Sequence, residues 1–116
     1  MPTTRETENM QLSDPALLRT EAYINGCWTS AASGQTYPVS NPVNGETVAE
    51  VAFCGRQETV DAVIAAEQAR IHWSALSAKE RARLLKAWHS LMMSAQEDLA
   101  QILTAEQGKP LAEARG

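Results

Sequence analysis

Glu106-Gln107-Gly108-Lys109-Pro110-Leu111-Ala112-Glu113-Ala114-Arg115-Gly116 is the stretch whose reading decides what kind of chain this is. Gly108 can take the left-handed conformation that ends a helix, and Pro110 suits the start of the next, where its missing N–H leaves no bond unmade. Leu111 to Arg115 then opens a helix that has made about one turn when the sequence stops. Independently folded proteins seldom finish by opening a new element. The segment therefore predicts that these 116 residues are the front of something longer.

Upstream of this stretch the pattern is helical. Leu84, Leu85, Trp88, Leu91, Met92, Ala95, Leu99, Ile102 and Leu103 recur at the spacing of one apolar helix face. That face is long for a single globular helix, and the polar step from Ser94 to Asp98 predicts a bend or break near Gln96. Ser77-Ala78-Lys79-Glu80 is a capping-box pattern, in which serine and glutamate each satisfy a free amide at a helix start. Before it, from Glu58 to near Trp73, Val60, Val63, Ile64 and Ile71 keep helical spacing, with Ala62, Ala65, Ala66 and Ala69 between them. Alanines favour the helix and let a neighbouring element approach closely.

The first half reads as short strands and turns. Asn25-Gly26 inside Tyr23-Ile24-Asn25-Gly26-Cys27-Trp28 predicts a hairpin with a type I′ turn, which needs positive φ at both central residues. Tyr37 to Ser40 reads as a strand whose Pro38 places it at an edge. Asn41-Pro42-Val43-Asn44-Gly45 is a turn, and Thr47 to Phe53 is a further strand. Together these predict one small antiparallel sheet of three or four strands. Ser13-Asp14-Pro15 predicts a short helix from Pro15 to about Arg19. Residues 1–10 hold almost no apolar content and are expected to be disordered.

Composition narrows the function classes. A hydrophobic share of 44% is ordinary for a soluble globular protein. The formal net charge of −4, without a basic stripe, argues against nucleic acid as a partner. No apolar run approaches the roughly 18–20 residues that cross a bilayer, and the polar start is no signal peptide. A soluble, cytoplasmic protein is the expectation. Cys27 and Cys54 form no C-x-x-C pair and no metal-ligand spacing, so both are expected reduced, as small apolar side chains. His72 and His89 stand apart, with no thiol or carboxylate motif around either.

Five stretches in order resemble the N-terminal region of the aldehyde dehydrogenase superfamily. They are Ile24-Asn25-Gly26-x-Trp28, Asn41-Pro42-x-x-Gly45-Glu46, the helix closing on Trp73, Glu80-Arg81-Ala82-Arg83-Leu84, and Glu106 to Pro110. The resemblance covers about residues 11–116. Trp88-x-x-Leu91-Met92-Met93, Gln96 to Ala100 and Thr104 to Gly116 are most similar to the succinate-semialdehyde dehydrogenases, with Ala105 departing where leucine is common. The glutarate-semialdehyde enzymes share much of the same signature.

This resemblance implies an α/β fold class. The chain would be the N-terminal portion of an aldehyde-dehydrogenase-like fold, with small antiparallel strands followed by amphipathic helices and the Rossmann-like sheet not included. It implies residues 11–116 as an incomplete part of the cofactor-binding domain. It also implies NAD or NADP as cofactor of a full-length homo-oligomeric parent that oxidises a small-molecule aldehyde, succinate semialdehyde to succinate. In the family a cysteine thiolate attacks the aldehyde, donors hold the resulting oxyanion, hydride passes to the nicotinamide, and a glutamate activates water to release the acid. Those residues are expected beyond residue 116, so no catalytic, cofactor-binding or metal-binding residue is assigned here, and the isolated chain is expected to be inactive. The alternatives are a fragment of another aldehyde dehydrogenase, or a non-catalytic module that pairs with a full-length subunit.

Several side chains offer sharper roles that the sequence does not favour. Neither Cys27 nor Cys54 stands in the sequence surroundings of the family's reactive cysteine, and thiolate activation needs a specific electropositive site. Lys109 lacks the spacing of a phosphate-binding loop, and a cation complementing a helix C-terminus is the simpler account. In some relatives a carboxylate at the position of Glu106 helps hold a structural cation with backbone near the Asn-Pro turn, but one carboxylate without other ligands proves little. Trp88, Met92 and Met93 read as core packing rather than as a partner groove, their core partner being one this chain does not encode.

Overall fold

The computed structural model describes residues 10–116, so the expectation for the first nine residues lies outside the described part. The chain divides into two compact units. One comprises the described residues up to Thr20, Tyr37–Val51 and Ser94–Gly116, and the other Glu21–Thr36 and Ala52–Met93.

The second unit begins with strands β1 (Ala22–Ile24) and β2 (Cys27–Thr29), antiparallel with Tyr23 opposite Trp28. Asn25 and Gly26 have φ of 51° and 77°, the two positive values a type I′ turn demands. Across the ribbon the Tyr23 and Trp28 rings lie 5.0 Å apart, an aromatic cross-strand pair. Two helices follow, α1 (Arg56–Ala75) and α2 (Ala78–Ser94, all but its last residue in this unit). Ser77 Oγ accepts the Glu80 N–H at 3.2 Å, which is the serine half of the expected capping box.

In the first unit a single 3-10 turn, Pro15–Leu17, replaces the longer helix expected there. Asp14 caps it by accepting the Ala16 N–H at 3.1 Å, and the Leu18 N–H already closes back on Pro15, so the turn does not propagate. Strands β3 (Thr36–Ser40) and β4 (Thr47–Ala52) form a hairpin closed by Asn41 N–H to Glu46 O at 2.8 Å, with Phe53 N–H bonding Gln35 O at the other end. Helix α3 (Gln96–Gln107) follows α2 after Ala95 alone, whose φ of −103° and ψ of 15° break the helix beside the expected Gln96. Gly108 ends α3 at φ 85°, its N–H bonding Thr104 O at 2.9 Å. Pro110 precedes the four-residue helix α4 (Leu111–Ala114) as its cap rather than as its first residue.

The strands do not join into one sheet of three or four. They make two separate two-stranded ribbons. Between β2 and β3 the chain turns at Ala31–Gly34, where Gly34 at φ 72° donates to Ala31 O at 2.9 Å. Pro38 removes a donor from β3. The helix expected from Glu58 starts two residues earlier, at Arg56, because Gly55 occupies the cap position.

Candidate functional site

The most organised polar features of the chain are two buried carboxylates, and both sit three residues after a helix cap. Glu58 occupies that position in α1 and Asp98 in α3, with relative exposures of 8% and 6%. A carboxylate there faces the free amides and the positive end of the helix dipole, which is why an acidic side chain is tolerated out of water.

Each carboxylate also reaches a distant part of its own unit. Glu58 Oε2 accepts the Gly55 N–H at 2.6 Å, and its Oε1 accepts the Ala32 N–H at 2.9 Å, holding the Ala31–Gly34 turn to α1. The Gly55 amide first, and the Ala32 amide second, hold the Glu58 carboxyl below its ordinary pKa against the opposing effect of burial. Asp98 accepts the Ser13 and Asp14 N–H groups at 2.8 and 2.9 Å, and Gln101 takes the Gln11 N–H at 3.2 Å. The same first turn of α3 holds α4: Gln96 Nε2 donates to Arg115 O at 2.8 Å, and Arg115 forms a two-bond pair with Glu97 at 2.6 and 3.1 Å. The Arg115 guanidinium holds the Glu97 carboxyl below its usual range.

Neither Glu58 nor Asp98 was given a role from the sequence. A signal existed for Glu58, since glycine is an acceptable cap and a glutamate three residues on completes the pattern recognised at Ser77–Glu80. Asp98 lay within the polar step that predicted the break, but its partners are 84 and 85 residues away.

The side chains weighed from sequence are not brought together. Cys27 is exposed at the start of β2, and Cys54 is half-buried just after β4; both are free thiols. His72 and His89 are exposed on α1 and α2. Lys109 is half-buried between Gly108 and Pro110, and Glu106 is exposed in the last turn of α3. Among the described residues no group of three or more His, Cys, Asp or Glu side chains could hold a metal ion. Trp88, Met92 and Met93, expected as core, are 63%, 47% and 49% exposed. Helical spacing marked them as a face to be covered, and no residue of α2 is buried.

Two pairs of segments do meet. A Cβ built on Gly108 would stand 2.9 Å from Pro42 Cγ, so the Asn-Pro turn is packed against the end of α3. In the second unit, a shallow groove of about 290 Å³ is lined by Tyr23 to Gly26 of the hairpin and by Ala62, Ala65, Ala66 and Ala69 of α1. The alanine row thus serves the close approach expected of it. The polar side chains that line this groove are those of Tyr23 and Asn25, and the rest of its lining is aliphatic or glycine.

The N-termini of α1, α2 and α3 are each occupied by a side chain of this chain. A pyrophosphate site uses the open amides of a helix N-terminus, usually after a glycine-rich turn and a parallel strand. Here Glu58 and Asp98 place a negative charge at the first turns of α1 and α3, and Ser77 caps α2.

Residues 28–116 match the family model described as Aldehyde dehydrogenase family. The chain belongs to that family. It is 51% identical over 107 residues to a 3-sulfolactaldehyde dehydrogenase of Pseudomonas putida, and 50% identical over the same length to an NADP(+) succinate-semialdehyde dehydrogenase of Escherichia coli. Each match takes in 92% of this chain and 22% of the relative. Among solved structures, a succinate-semialdehyde dehydrogenase from Burkholderia pseudomallei matches with a TM-score of 0.87 and 48% identity, over 90% of this chain and 22% of that one. The chain therefore spans roughly a fifth of the length of the aldehyde dehydrogenases it matches, and its fold is that of their N-terminal part.

Proposed function

We propose that this chain is the N-terminal part of the cofactor-binding domain of an NAD(P)-dependent succinate-semialdehyde dehydrogenase. The parent would oxidise succinate semialdehyde to succinate, with water supplying the second carboxylate oxygen and the nicotinamide accepting the hydride. The observation that carries this reading is the run of motifs from Ile24 to Gly116, whose last stretch, Thr104 to Gly116, resembles the succinate-semialdehyde enzymes. The family match over residues 28–116 supports it.

On this reading the nucleophile, base, oxyanion donors and cofactor contacts are supplied by other residues of the parent, and residues 1–116 alone do not catalyse. Cys27 and Cys54 stand outside the sequence surroundings of the family's reactive cysteine, and the carboxylates Glu58 and Asp98 are engaged by backbone amides. Without a nucleophile and base, nothing in the chain lowers the barrier by the ~8 kcal/mol or more typical of enzymes. Its contribution to the parent would be scaffold: the two carboxylate-pinned helices and the hairpins.

Incubating residues 1–116 with succinate semialdehyde and NAD(P)+ is expected to produce no reduced nicotinamide. Turnover that scales with the chain and disappears on Cys27→Ser or Cys54→Ser would overturn the assignment of catalysis elsewhere. For a longer protein that carries this sequence, a higher kcat/KM for succinate semialdehyde than for glutarate semialdehyde is expected, and the reverse order would move the substrate to the glutarate class. The exposed apolar residues of α2 favour a second reading, a non-catalytic module that pairs with a full-length subunit, which would be supported if the chain co-purified with the intact enzyme.

A further inference from the structure

We draw no further inference here: the strongest candidate, the exposed apolar face of α2 running from Leu84 through Trp88 and Leu91 to Met93, already belongs to the proposed reading, and nothing in the structure shows what covers it.

Discussion

Helices α2 and α3 follow one another with a single residue between them, carry the same apolar periodicity, and end up in opposite situations. On α3, Ala100 is 1% exposed and Leu99, Ile102 and Leu103 are half-buried. On α2, no residue is buried, and Trp88 and Leu91 are 63% and 71% exposed. What separates the two is polar anchoring. The N-terminal half of α3 holds the 11–14 segment through Asp98 and Gln101, and α4 through Gln96 and Glu97, while Pro42 abuts its C-terminal Gly108. On α2, Arg83 Nε donates to Glu80 and Ser90 Oγ donates to the Lys86 carbonyl, both within about one turn. An apolar stripe specifies that a face is to be covered, and directional bonds to particular segments decide whether the chain covers it itself.

The largest test of this contrast lies at the end of α3. Gly108→Ala forces a left-handed non-glycine residue, costing ~1–2 kcal/mol. It also drives a methyl group against Pro42 at 2.9 Å, an overpacking cost of similar size. Urea unfolding should show a loss of about 3 kcal/mol, and a loss near zero would mean the Asn-Pro turn is not packed on α3. Next in size is Asp98→Ala, which strands the part-buried Ser13 and Asp14 amides and should cost about 2 kcal/mol. Amide exchange at those two residues should accelerate selectively. If exchange stays slow, Asp98 is not what anchors that segment.

A smaller effect belongs to the second unit and depends on pH. The folded Glu58 carboxyl titrates below its unfolded value, so the unfolded state binds the proton more readily. Its stabilisation is therefore complete above the unfolded carboxylate's pKa and is lost as pH falls through the lower folded value. The acid limb of the unfolding curve should flatten in Glu58→Gln, and an unchanged limb would remove Glu58 from the acid response. The smallest effect is expected on α2. Trp88→Gln should change stability by less than about 0.5 kcal/mol, because the side chain is already in water, while lowering the binding of an apolar dye. A cost of several kcal/mol would show that α2 is covered after all, and the contrast with α3 would fall.

Much of the local structure was legible in residues that settle their own conformation. Asn25-Gly26 turns the first hairpin, Ser77 caps α2, Gly108 stops α3, and the break falls between Ser94 and Gln96. Less of the arrangement was legible. Two ribbons stand where one sheet was expected, and a helix start at Arg56 was hidden because glycine, not serine, provides the cap. The family, too, was readable in the five ordered motifs, and the match over residues 28–116 agrees with them.

By itself the sequence determined the turns, caps, helix stops and apolar faces, because each depends on a few residues adjacent in the chain and on steric and hydrogen-bond rules of short reach. Only the tertiary structure decided that Glu58 would hold the Ala32 amide and Asp98 those of Ser13 and Asp14. It also decided that α3 would be half-buried where α2 stays exposed. Those pairings join residues 26 and 84–85 positions apart, and their energy depends on excluding water around both partners, which no local pattern records.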